Sequence, residues 1–391
     1  MQTTIEKLSQ REVFMPMSFN SLRRIFQPLI SKIEKLDPVI IIIAGTNGKG
    51  ETAHNLQRMA LTSKYKKRVS MWTSPHIESY AERFSFNGVN ILQSELEHSL
   101  SCFESLFPHN SCHLSFYELS FWLFCHQVIK QKSDFIILEV GLGGRLDAVN
   151  LFDADHVILT SISRDHTEYL GNFYREIVPE KLGVLRKKSK LVYSVQTDYI
   201  DKLICKIAHE KKLDAPIKLQ TTGEFSNYRK RNWELAKITY EAVTAEECPL
   251  SFDPFFTTLG RGNEKVIEGL RLNFFNAHNI DAHREFLRSI NPPRNSALIL
   301  FFSNRPSGEI KGILKLYSKF YKGKIIIAGV DEHFKIISVV DLKVICGEGW
   351  DYVDFSNTKI ASEQLKFYGH SNFFVSGTNY IQCLLKDSVI G

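Results

Sequence analysis

Four short apolar runs, each ending in a polar cluster, constrain this chain more than any other feature. They are Val39–Ala44, Arg68–Trp72, Phe135–Val140 and His156–Ser161. The stretches between them are long enough for crossover connections. This grammar predicts a parallel α/β sheet whose strand ends share one edge, where ligands bind. The runs deliver Lys49, Ser74, His76, Glu139, Asp147, Asp165 and His166 toward one crevice. An edge this polar is hard to explain as bare structure. An acid at a strand end, as at Glu139, is where nucleotide-binding sheets commonly keep a magnesium ligand.

The first run leads into Gly45-Thr-Asn-Gly-Lys-Gly50, after which Ala53–Leu61 reads as a helix. Strand, glycine loop and helix together aim backbone N–H groups and a helix N-terminus at a phosphate. Lys49 adds a mobile positive charge for the terminal phosphates. The general P-loop pattern has Gly five residues before its second Gly and Ser or Thr directly after Lys. Ile43 and Gly50 fill those places here, which makes the loop a shorter variant. Taken alone, it is also compatible with a tight glycine turn in an α/β domain.

Residues 1–37 read as a helical lead-in, with Leu22, Ile25, Phe26, Leu29, Ile30 and Ile33 at helical spacing and a break at Asp37-Pro38. Amphipathic helices are expected over 94–107 and 115–131. Two more, over 173–187 and 199–212, flank a strand at 190–195, and Asn232–Tyr240 forms another. Gly260-Arg-Gly262 punctuates the chain and places a domain boundary, giving domains 1–260 and 261–391. The second domain restarts the alternation. Strands are expected near 270–275, 297–302, 324–328 and 372–376, and helices near 280–290, 308–320 and 378–387. Pro292-Pro293 reads as a helix stop.

Composition narrows the function. A net charge of +6 over 391 residues suits anionic small molecules and is too weak to argue for a nucleic-acid binder. The basic clusters Lys64–Arg68, Arg186–Lys190 and Arg229–Arg231 are dispersed and read as solvated surface. Seven cysteines without a CxxC pair fit free thiols in a reducing compartment and argue against disulfides and zinc. No signal-peptide pattern and no membrane-length apolar run is present. The expectation is a cytoplasmic monomer acting on small molecules, without nucleic-acid or membrane partners.

Five blocks then occur in a telling order: Ala44–Gly50, Thr73-Ser-Pro-His76, Glu139–Ala148, Asp165-His-Thr167 with Leu170-Gly171, and Glu180-Lys-Leu-Gly183. In order and spacing the chain resembles the folylpolyglutamate synthase and dihydrofolate synthase branch of the Mur ligases. The resemblance is strong over 38–190 and weak beyond about 220. It implies a P-loop NTPase-like Mur ligase central domain with a mainly parallel sheet, followed by a smaller Rossmann-like α/β domain. It also implies an ATP-dependent ligase. ATP phosphorylates a folate or dihydropteroate carboxylate, and the amine of L-glutamate attacks the acyl phosphate to form an amide.

Site roles follow from the same resemblance. Thr46, Asn47, Gly48, Lys49 and Gly50 hold the triphosphate, and Ser74, Glu139 and His166 match the positions that hold magnesium. A neutral imidazole is a less usual partner for that hard ion than an oxygen, so His166 depends most on the resemblance. Lys181 matches a lysine that the family carries as a carbamate, and with Lys49 and His166 completes the implied catalytic set; read alone it is an ordinary surface lysine. Phe116, Tyr117 and Glu118, with Leu146, Asp147 and Ala148, match the pterin side of the substrate. On helical spacing alone, Phe116 and Tyr117 are equally core residues. Asn232 matches an asparagine that reads adenine, and Arg261 an arginine that grips the phosphates when the domains close.

Two positions depart from the family pattern. Glu51 stands where Ser or Thr is usual, beside the phosphates. A carboxylate there is tolerable if it turns to solvent, pairs with a cation or binds magnesium, and it is favoured at a helix N-terminus in any case. Phe275 stands where the family has an acid, two residues before Ala277-His-Asn279. These departures keep two alternatives open: a Mur-type ligase with another acceptor, and a nucleotide-binding homologue without full catalysis.

Overall fold

The computed structural model describes residues 18–64, 67–108, 113–220, 227–253, 261–289, 296–331, 333, 335–378 and 380, with the side chains of 261–263 excluded. Contacts divide the chain into one unit of Met1–Pro254 and another of Phe255–Gly391.

The first unit runs α1 (Phe19–Glu34), β1 (Val39–Ala44), α2 (Lys49–Thr62), β2 (Val69–Trp72), β3 (Phe84–Phe86), β4 (Val89–Asn90), α3 (Gln93–Leu106), α4 (Phe116–Gln131) and β5 (Phe135–Glu139). It continues through β6 (His156–Leu159), α5 (Thr167–Leu170), α6 (Tyr174–Lys181), β7 (Lys190–Ser194), α7 (Asp198–Glu210), β8 (Ile217–Leu219) and α8 (Tyr228–Thr244). The sheet order is β4-β3-β2-β5-β1-β6-β7-β8. From β2 to β8 all neighbours are parallel; β3 and β4 add an antiparallel edge.

β1 is central because both its faces are apolar. Ile40, Ile42 and Ala44 pack with Leu22 and Phe26 of α1 and with Phe121 of α4. Ile41 and Ile43 pack on the other face with Leu56 and Met59 of α2 and Leu235 of α8. Each buried isoleucine is worth about 1.5–3 kcal/mol, so a one-residue slip of register would exchange the two layers at large cost. The register pairs Ile43 with Glu139. The loop after β1 and the acid ending β5 therefore lie on one sheet edge.

The second unit runs β9 (Arg261–Ile267), β10 (Leu270–Phe275), α9 (Ile280–Ser289), β11 (Ser296–Phe301), α10 (Ser307–Phe320) and β12 (Lys324–Gly329). It ends with α11 (Val339–Cys346), β13 (Asp351–Asp354), α12 (Thr358–Lys366) and β14 (Asn372–Ser376). Its sheet order is β13-β12-β11-β14-β10-β9, parallel except for β9. Phe275 packs against Phe286 and Phe374, with ring centroids 4.6 and 5.9 Å away. That position supplies packing where the family pattern has an acid.

Several expectations need correction. The helix expected over 173–187 ends at Lys181, and a 3-10 turn, Leu182–Val184, follows. Gly262 does not sit in a linker; it lies within β9, which pairs with β10 through a hairpin at Glu268-Gly269. The β3–β4 hairpin is an addition to the expected elements, although Asn87-Gly88, with φ of 53° and 81°, is a standard hairpin dipeptide. α11, β13 and α12 are additions as well. Pro292-Pro293 and most of the segment expected as a helix near 378–387 lie outside the described residues.

Candidate active site

The glycine loop is braced by the segment after β6. Thr46 N–H donates to the Ser161 carbonyl at 2.6 Å, and Asn47 N–H donates to Ser161 Oγ at 3.3 Å. Ser161 Oγ donates in turn to the Asn47 carbonyl at 3.1 Å, and Ser163 N–H donates to Thr46 Oγ1 at 3.0 Å. Gly45 and Gly48 carry φ of 140° and 92°, so the turn needs residues without a side chain. A Cβ on Gly45 would lie 1.9 Å from Thr160 Oγ1. Sequence reasoning alone does not single out Ser161 and Ser163 for this role. Their only signal is hydroxyl-bearing residues following an apolar strand.

Two lysines turn their ammonium groups onto this loop. Lys49 Nζ donates to the Thr46 carbonyl at 3.1 Å, and Lys181 Nζ donates to the Gly45 carbonyl at 3.0 Å. Lys181 is only 4% exposed. Burial, and then the charge of Lys49, push its pKa down to about 7 against the opposing pull of Asp165. Lys181 is therefore a buried amine at the loop, not the ordinary surface lysine that its sequence surroundings suggest.

Lys181 is held there by two interlocked loops. Arg145 N–H donates to the Glu180 carbonyl at 2.8 Å, and Arg145 Nε donates to Glu180 Oε1, also at 2.8 Å. A Cβ on Gly144 would lie 2.7 Å from the Lys181 carbonyl, and one on Gly183 would lie 2.6 Å from Arg145 Cα. Both glycines are required by close approach of backbone to backbone.

Glu139 is buried at the end of β5 and accepts the Ser74 N–H at 3.1 Å. The loop carrying Ser74 is clamped from residues 82 and 83. Glu82 accepts the N–H groups of Ile77, Glu78 and Ser79 at 2.8, 2.9 and 2.6 Å, and Arg83 Nε donates to His76 Nδ1 at 2.9 Å. Burial, and then Arg83, lower the His76 pKa to about 4. His166 adopts φ of 50° as the N-cap of α5, with its side chain 52% exposed and Nδ1 3.9 Å from Glu168 Oε1.

Among the described residues no group of three or more His, Cys, Asp or Glu side chains could hold a metal ion. A magnesium ion bound mainly through phosphate oxygens and water needs only one or two protein ligands. The buried Glu139 carboxylate and the Ser74 hydroxyl are hard oxygen donors of that kind.

The residues expected at the pterin are largely committed to one another. Asp147 Oδ1 accepts from Tyr117 OH at 2.9 Å and from Val149 N–H at 3.0 Å; Oδ2 accepts from Gly141 and Leu142 N–H at 2.9 and 3.0 Å. Four donors fill the four lone-pair sites of a carboxylate. Asp147 is thus the organiser of the 141–149 loop. Burial raises its pKa against these hydrogen bonds. Tyr117 packs edge-on against Trp72. Glu118 caps its own helix by accepting the Ser115 N–H at 2.8 Å. Ala148 is buried, Phe116 is half-buried, and Leu146 is 59% exposed.

Glu51 does not turn to solvent. It is 5% exposed, and Oε2 accepts from Asn232 Nδ2 at 2.7 Å. Asn232, buried on α8, lies against Gly48, where a Cβ would meet Oδ1 at 2.5 Å. The amide expected to face adenine thus sits over the glycine loop with its nitrogen taken. The Arg261 side chain lies outside the described residues.

Residues 43–247, just over half of the chain, match the family model of the Mur ligase middle domain. The chain belongs to the Mur ligase family. It is similar to the dihydrofolate synthase/folylpolyglutamate synthase of Escherichia coli K12, 37% identical over 179 residues, which are 44% of this chain and 40% of that protein. The corresponding protein of Buchnera aphidicola from Acyrthosiphon pisum is 35% identical over 226 residues, 58% of this chain and 53% of that one. The matched stretch thus spans about half the length of these curated relatives or less. Among solved structures, Mycobacterium tuberculosis folylpolyglutamate synthase complexed with ADP has a TM-score of 0.81 at 19% identity, covering 100% of this chain and 98% of that one. The bifunctional folylpolyglutamate synthase/dihydrofolate synthase of Yersinia pestis has a TM-score of 0.78 at 22% identity, covering 99% and 98%. At these identities the likeness is one of fold. No described helix is long and apolar enough to cross a membrane.

Proposed function

We propose that this Mur ligase is an ATP-dependent amide ligase that joins L-glutamate to a folate or dihydropteroate carboxylate through an acyl phosphate. The supporting observation is the convergence of Lys49 and Lys181 on the Gly45-Thr46 backbone, one strand away from the Glu139–Ser74 pair. In this reading the loop N–H groups and Lys49 bind the triphosphate, and Lys49 offsets the charge that develops as the terminal phosphoryl group moves to the substrate carboxylate. Glu139 and Ser74 would hold magnesium, which neutralises phosphate charge when bound.

With a pKa near neutrality, Lys181 presents a substantial unprotonated fraction able to capture carbon dioxide as a carbamate. The buried carbamate anion then offsets the positive charge beside Lys49. His166, half exposed at the head of α5, is proposed to meet substrate or metal from the solvent side. Arg261 is carried as a further proposed phosphate contact on the family resemblance alone. The reading carries with it domains 1–260 and 261–391, a cytoplasmic location and a monomeric enzyme.

Purified protein given ATP, magnesium, L-glutamate and either dihydropteroate or tetrahydrofolate should release ADP and phosphate. A folded protein that releases neither with either acceptor overturns the assignment. A second reading keeps the ligase chemistry and changes the acceptor. It is favoured by Asp147, whose oxygens are already filled from within the chain. Screening other carboxylate and amino-acid pairs for ADP release separates the two.

A further inference from the structure

Glu51 occupies the third helical position after Gly48, the N-cap of α2. A glutamate at that position ordinarily folds back to accept the N-cap backbone N–H, closing a capping box. This chain does so repeatedly. Glu82 accepts from Ser79 N–H, Glu95 from Leu92, Glu118 from Ser115 and Glu176 from Phe173, at 2.6, 3.1, 2.8 and 3.1 Å.

At α2 the same closure would take the Gly48 N–H, one of the donors that a glycine loop offers to phosphate. Glu51 instead accepts from Asn232 Nδ2 at 2.7 Å. Among the described residues nothing accepts from the Gly48 N–H. Asn232 is 2% exposed and lies against Gly48, so it has little freedom to swing away. Arg229, one turn earlier on α8, adds attraction for the Glu51 carboxylate from the same side.

We propose that Asn232 is a positioning residue that diverts Glu51 from the Gly48 N–H and so keeps the phosphate-binding loop open to nucleotide. The proposal rests on the nucleotide-binding reading above. It assigns Glu51 a competing role: released, it becomes an internal anion that blocks the loop.

Titration calorimetry with ADP and magnesium on Asn232→Ala, Glu51→Ala and the double variant tests this. Asn232→Ala should weaken ADP binding at least tenfold, Glu51→Ala should bind within about threefold of the parent, and the double variant should bind at least fivefold more tightly than Asn232→Ala. A crystal structure of Asn232→Ala should show the Glu51 carboxylate on the Gly48 N–H. Recovery in the double variant is the deciding readout, since a purely structural loss at Asn232 would not be repaired by a second truncation. A double variant as weak as Asn232→Ala, or an Asn232→Ala protein with parental affinity, overturns the proposal. If Asn232→Ala fails to fold by circular dichroism, Asn232→Ser replaces it, being too short to reach Glu51, with the same criteria. A parent protein that binds no ADP sinks the nucleotide reading itself, and the proposal with it.

Discussion

Lys181 Nζ donates to the carbonyl oxygen of Gly45 at 3.0 Å, across 136 positions of sequence. This bond ties the end of α6 to the first turn of the glycine loop. It places a second amine close enough to Lys49 for the two charges to interact. The loop is therefore assembled from three chain segments: its own, the serines after β6, and the lysine ending α6.

Lys181 should make stability depend on pH in a defined sense. Its pKa falls from 10.5 in the open chain to about 7 when folded. Between those values the unfolded chain binds more protons, so stability rises with pH across that window. Below about 7 both states are protonated, and the cost of burying the ammonium charge is felt in full. Lys181→Met removes this penalty. Relative to that variant, the parent should melt lower at pH 6 than at pH 9. A constant difference in melting temperature would contradict the assigned burial.

Lys49→Ala should lower the proposed ligase turnover by about 10²–10³-fold, the usual cost of losing one preorganised charge stabiliser. Folding should change little, because Lys49 is only half-buried and its charge opposes that of the buried Lys181. Coupled ADP-release kinetics and thermal melting together check both halves.

Gly144→Ala should destabilise the first unit by about 2 kcal/mol or more. Its φ of 156° and a Cβ 2.7 Å from the Lys181 carbonyl force backbone to move. Because the atoms displaced belong to Lys181, ADP release should fall along with the denaturation midpoint. Gly269→Ala also has positive φ, but nothing lies within 4 Å of its Cβ. It should lose stability without loss of turnover.

Asp147→Asn should cost about 1–3 kcal/mol, since its amide would point a donor at groups that are themselves donors. Urea unfolding measures this. If the loop built on Asp147 borders the acceptor site, the Michaelis constant for the pterin acceptor should rise more than that for ATP.

The first unit is far more legible in the sequence than the second. β1, β2, β5 and β6 announce themselves as apolar runs because parallel strands are buried on both faces. The polar blocks after them stand out because they lie where each strand leaves the apolar layers. The β3–β4 strands, of three and two residues, are too short for periodicity to register, and only Asn87-Gly88 points to them. In the second unit α11 has apolar residues on several sides but buries only Leu342, so the chain shows no clear stripe there.

By itself the sequence determined the apolar strands β1, β2, β5 and β6 and the glycine turn after the first of them. These depend on side-chain alternation and backbone freedom within a few neighbouring positions. The tertiary structure decided that Lys181 is buried, that Asp147 is filled by internal donors, and that Glu51 faces Asn232 rather than solvent. Each of these depends on desolvation and on a hydrogen-bond partner far away in the chain, quantities that no local pattern of residue types contains.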